Sequence, residues 1–134
     1  MKACKRNKAQ FAIEFVVLIA FMFIIFLGFT AVITSKILDA GESGRQQTAE
    51  DIATLAKNEI DLARSVSDGY VRTFNLPATI EGNSYDISII GNRELVVKYF
   101  DKEYVLFLQG NVRGNINSGE NTIRKENGIV YVNA

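Results

Sequence analysis

Hydrophobic positions are spread unevenly along the chain, and their pattern changes three times. From Phe15 to Ile33 nineteen residues carry no charge and no proline, and Thr30 is the one polar side chain. A helix crosses a bilayer core in about 20 residues, so this stretch is long enough to span one. It is apolar all round, as a membrane helix or the centre of a bundle is. Six of the nine phenylalanines lie here or just before it, at Phe11, Phe15, Phe21, Phe23, Phe26 and Phe29.

At Lys36 the pattern breaks. The segment to Arg45 mixes charge with Gly41 and Gly44, and each glycine costs a helix roughly 1 kcal/mol relative to alanine. A bend or break is expected there. From Gln46 to Val66 apolar residues return at spacings of three and four. Ala49, Ile52, Ala53, Ala56, Ile60, Ala63 and Ser67 form a stripe, with Leu55, Leu62 and Val66 predicted to widen it. Glu50, Asp51, Lys57, Asp61 and Arg64 fall on the other side. Ser67-Asp68-Gly69 ends the helix, with Gly69 supplying the left-handed residue that commonly follows a helix.

After Gly69 the period shortens to two. Tyr70–Leu76, Tyr85–Ile90, Leu95–Phe100 and Tyr104–Leu108 read as strands, with a turn at Asp101-Lys102. Val112–Ile116 is weaker, being interrupted by Gly110 and Gly114. Thr122–Lys125 and Ile129–Val132 flank Asn127-Gly128, the strongest short hairpin signal. The predicted fold is α+β. A long N-terminal hydrophobic and amphipathic helix precedes a small antiparallel β-meander head packed on the helix's C-terminal half. Its divisions are a basic leader at 1–9, a hydrophobic helix at 10–35, an amphipathic helix at 36–67 and a sheet head at 68–134. A head of this size has no disulfide to brace it, so the helix stripe is expected to complete its core.

Charge changes the picture at the start of the chain. Lys2, Lys5, Arg6 and Lys8 precede the apolar run, which predicts a cytoplasmic N-terminus and a head on the far side of the membrane. Without those four cations, eleven Lys and Arg face fifteen Asp and Glu, a net charge of −4. A mildly acidic exterior argues against a nucleic-acid partner. One acid, Glu14, stands in the first turns of the apolar helix. An ionised carboxylate entering the bilayer costs a few kcal/mol and usually has a partner. Three arrangements answer that cost. Glu14 lies at the membrane surface and needs no partner, or it pairs within the chain with Lys8 or Arg6. Alternatively it pairs with a cation on a neighbouring copy, which a free amine at Gln10 would supply after a cut behind Ala9.

The run Lys8-Ala9-Gln10-Phe11-Ala12-Ile13-Glu14-Phe15 resembles the cleavage region of archaeal type IV pilin-like precursors, which carry a class III signal peptide. The resemblance covers roughly residues 5–33: a basic run, a small residue, glutamine, and glutamate fifth from the cut. It implies processing by a prepilin peptidase between Ala9 and Gln10, and retention of the hydrophobic helix in the mature chain. It also implies self-association through that helix, with Glu14 setting register against the Gln10 amine. The chain would then be a structural subunit, major or minor, of a surface filament. It would be held in the cell membrane before assembly and lie at the cell surface after it. The alternative is a monomeric single-pass anchor whose extracellular β-domain binds a surface or filament partner. An ordinary secretory signal fits less well, since its apolar region is shorter and ends in a small-x-small site.

Candidate chemistry adds little. The chain has no histidine, the commonest general base, and its single cysteine, Cys4, lies in the leader. No phosphate loop and no calcium-loop spacing occur, and Asn83-Ser84-Tyr85 and Asn121-Thr122-Ile123 both miss the glycosylation sequon. No enzymatic activity, cofactor or metal is expected.

Overall fold

In the computed structural model of the chain the backbone is described for residues 3–134 and side chains for residues 7–134. The apolar run and the amphipathic stripe belong to one helix, α1 (Ala3–Ser65). Nothing between its ends forbids this, because the chain's only proline, Pro77, lies beyond it. Two expectations are corrected here. The described part of the basic leader at 1–9, Ala3–Ala9, is not set apart from the hydrophobic helix but continues it, in keeping with its Ala, Lys and Arg content. The glycines at 41 and 44 do not interrupt the helix either. The boundary between the chain's two compact units falls between them, after Glu42.

The described residues of the first unit are all helical. Every residue from Asn7 to Ala40 is exposed. Its few hydroxyls are satisfied within the helix: Thr30 Oγ1 donates to the Phe26 carbonyl, Thr34 Oγ1 to that of Thr30, and Ser35 Oγ to that of Val32, each at 2.9 Å. That bonding suits a segment surrounded by hydrocarbon, where no water is present to serve polar groups.

The second unit, Ser43–Ala134, joins the rest of α1 to seven strands. These are β1 (Val71–Leu76), β2 (Asp86–Ile90), β3 (Glu94–Tyr99), β4 (Lys102–Phe107), β5 (Val112–Gly114), β6 (Gly119–Glu126) and β7 (Ile129–Val132). They form two sheets. β2-β3-β4 is an antiparallel meander, and β1-β6-β7-β5 is a four-stranded sheet in which β5 runs parallel to β7. Turn chemistry explains the hairpins. Asn127 and Gly128 both have positive φ between β6 and β7. Tyr99 pairs with Lys102, so the β3–β4 turn is Phe100-Asp101, one residue earlier than expected, with Phe100 left-handed. At Gly114 a side chain is excluded outright. Its φ is +99°, and a Cβ would stand 2.0 Å from the Val132 carbonyl oxygen.

The inner faces of both sheets and one face of α1 share a single core. Ala49, Ile52, Ala53, Ala56, Ile60 and Ala63 are all buried, and the small alanines let the strands come close. Leu55 and Leu62 do not widen this stripe, being 41% and 39% exposed. At 100° per residue they point to the back of the helix. Val66 and Ser67 lie beyond the helix end. Polar clamps hold α1 to the strands. Arg72 on β1 reaches Glu59 at 3.4 Å, and Arg45 meets Glu81 at 2.7 Å. Lys125 Nζ on β6 donates to the carbonyls of Arg64 and Val66, both at 2.7 Å. It thereby caps the carbonyl end of the helix, where positive charge is favoured.

Candidate functional site

The residues singled out around the leader occupy the first turns of α1. Asn7, Gln10, Phe11 and Glu14 line one shallow depression on the helix surface. Their spacing of three, four and seven places them on a single face. Gln10 and Glu14 are thus successive residues along one row, one turn apart. Ala9 is exposed beside them. Lys8 lies six residues before Glu14, about 240° around the helix, and makes no ion pair with it at 4.0 Å or less. The side chains of Lys5 and Arg6 lie outside the described residues.

Among the described residues Glu14 has neither an ion pair nor a hydrogen bond, and the apolar surface that follows it is equally uncovered. Phe11 is 72% exposed, and the large side chains from Ile13 to Leu38 are all open. Such a surface cannot stand in water: each fully buried large apolar side chain gains about 1.5–3 kcal/mol over an exposed one. The helix is long and apolar enough to cross a membrane.

Among the described residues no group of three or more Asp, Glu, His or Cys side chains is placed to hold a metal ion. Asn121, the buried polar residue of the head, is fully engaged. It accepts from Asn117 N and Asn133 Nδ2, both at 2.8 Å, and donates to the carbonyls of Asn117 and Gly119. It therefore fixes the approach to β6 and the end of β7, and offers nothing to a ligand.

Two groups of head residues escape a reading by period and spacing. Arg45 lies over the Phe100 ring, 4.5 Å from its centre, while bonded to Glu81. Arg124 lies 5.0 Å from the Tyr131 ring centre and 3.1 Å from Glu126. Both depend on long-range pairing, and alternation alone carries no sign of them. Comparison with known proteins finds no matching family model, no matching curated protein and no matching solved structure.

Proposed function

We propose that the chain is a pilin-like precursor. A membrane peptidase of the prepilin kind cuts between Ala9 and Gln10, and the mature helix then packs with copies of itself in the core of a surface filament. The observation that carries this reading is the row Gln10–Glu14 at the head of an uncovered apolar helix. Lipid covers that helix before assembly, and other subunits must cover it afterwards. A free Gln10 amine on one copy supplies the cation that Glu14 of another lacks. Only one axial stagger satisfies both charges, so the pair sets register while the phenylalanines provide burial.

The test is Glu14→Gln. Membrane insertion is expected to be unchanged and filament yield to fall sharply. Filaments at the wild-type level would refute the register role. A second reading, a monomeric anchor carrying an extracellular β-domain, is favoured by the internally bonded Thr30, Thr34 and Ser35, which leave the helix content in lipid. In that case Glu14→Gln changes neither the membrane fraction nor the oligomeric state.

A further inference from the structure

The junction between the end of α1 and the β6–β7 hairpin brings two reactive dipeptides together. Asp68-Gly69 follows the helix and Asn127-Gly128 forms the hairpin turn; no other asparagine in the chain precedes a glycine. Glycine has no Cβ to keep its nitrogen away from the preceding side chain. In an Asn-Gly pair that nitrogen can attack the asparagine Cγ. The new N–C bond closes a succinimide ring and the side-chain amide leaves as ammonia. Water then opens the ring to aspartate or isoaspartate, and no other reactant is consumed. Asn127 is exposed, and its side-chain amide makes no hydrogen bond among the described residues. The attacking nitrogen, in contrast, is held. Gly128 N donates to Asp68 Oδ1 at 3.0 Å, and the attack requires the loss of that same proton. A carboxylate at this place stabilises the N–H and disfavours the anion that its loss would create. The glycine nitrogen of the other pair is held too, since Gly69 N donates to the Lys125 carbonyl at 2.9 Å. Lys125 in turn binds the helix end through Nζ. Both glycine N–H groups therefore keep their partners only while the hairpin is seated on the end of α1.

We infer that Asn127 is a deamidation site held unreactive by Asp68, and that opening of the helix–hairpin junction releases it. Either product then weakens reclosure. Glu126 pairs with Ile129, so the turn is Asn127-Gly128 alone, and isoaspartate adds an atom to the main chain of a turn with no slack. Aspartate instead adds a carboxylate next to Glu126, in the turn that Asp68 already contacts. Local opening of a folded chain is ordinarily reversible; here the reaction makes it a one-way event and marks each head that has opened. The inference concerns the head alone and requires neither the cut behind Ala9 nor assembly of copies.

The test incubates the full chain in an uncharged detergent at mildly alkaline pH and follows Asn127 by peptide mass, which separates the amide from the acid. The folded chain is expected to react at least about tenfold more slowly than the same chain unfolded in urea. Asp68→Ala is expected to raise the folded rate about tenfold, the factor equivalent to one charge-assisted hydrogen bond, with the tyrosine near-ultraviolet signal retained. Lys125→Met keeps Asp68 and Asn127 but loosens the junction, and is expected to raise deamidation and amide exchange at Gly128 by the same factor. The deamidated chain, separated by ion exchange, is expected to melt at a lower temperature than its parent. A folded wild-type chain that reacts as fast as the unfolded one would overturn the inference. So would a folded Asp68→Ala chain that reacts at the wild-type rate. Should Asp68→Ala lose the tyrosine signal, Lys125→Met decides, and deamidation that fails to follow Gly128 exchange overturns the inference. A product with its parent's melting midpoint would overturn the one-way step.

Discussion

Ile60 and Leu62 are two residues apart on α1 and face opposite ways, which makes them a sharp test of how the head is built. Ile60 is fully buried in the core that both sheets share, whereas Leu62 is 39% exposed. Ile60→Ala removes three carbons from a packed site. At about 0.8 kcal/mol for each, the transfer loss is roughly 2.4 kcal/mol. The cavity left behind raises the total to about 3–4 kcal/mol, within the range for such truncations. Ser43–Ala134 is a unit of about 90 residues, in which 1 kcal/mol moves the melting temperature by roughly 4–8 °C. The expected fall is therefore at least about 12 °C. Leu62→Ala should cost less than about 1 kcal/mol and move the midpoint by only a few degrees. The assay is thermal unfolding of the full chain in detergent, read by tyrosine near-ultraviolet circular dichroism. All five tyrosines lie in the head and there is no tryptophan, so the apolar helix is silent. Equal shifts for the two variants would refute the assignment of one α1 face to the core.

Other perturbations probe separate features. Lys125→Met leaves the carbonyls of Arg64 and Val66 without their cation, and should cost about 1–3 kcal/mol in the same melt; an unchanged midpoint would remove Lys125 from the account of how α1 ends. Gly114→Ala places a methyl group against the Val132 carbonyl at a left-handed φ, and should cost about 2 kcal/mol or more, with β5 detached from β7 in amide exchange. Burial pushes the Tyr85 phenol from 10.0 up to about 12, and its hydroxyl donates to the Pro77 carbonyl. The folded pKa lies above the unfolded one, so this stabilisation is complete below pH 10 and is lost as pH rises through about 12. The contribution is roughly 2–3 kcal/mol. Tyr85→Phe should flatten that alkaline decline, which phenolate absorbance during pH titration will report.

Much of this architecture is legible in the sequence where the signal is local. Ala49, Ile52, Ala53, Ala56, Ile60 and Ala63 repeat at the helix period, and the structure buries all six. Asn127-Gly128 marks its hairpin because only such residues accept two successive left-handed positions. Leu55 and Leu62 mislead because leucine reads as core whatever its angle around the helix. The division into two sheets is not local at all. Val71 pairs with Arg124 and Arg113 with Tyr131, partners chosen by what the assembled core needs to bury. Lys125 reads as an ordinary strand residue until β6 is brought to the end of α1. At the candidate site the spacing of Gln10 and Glu14 already places them on one face, and the structure adds that the surface around them is uncovered.

The register proposed for Glu14 depends on whether Gln10 acquires a free amine. Intact-mass and N-terminal peptide analysis of the chain isolated from its native cell surface measures this directly. A chain beginning at Gln10 is predicted. A surface chain that still carries Met1–Ala9 would contradict it, for Glu14 would then face no amine at Gln10 and the helix would serve only to tether the head.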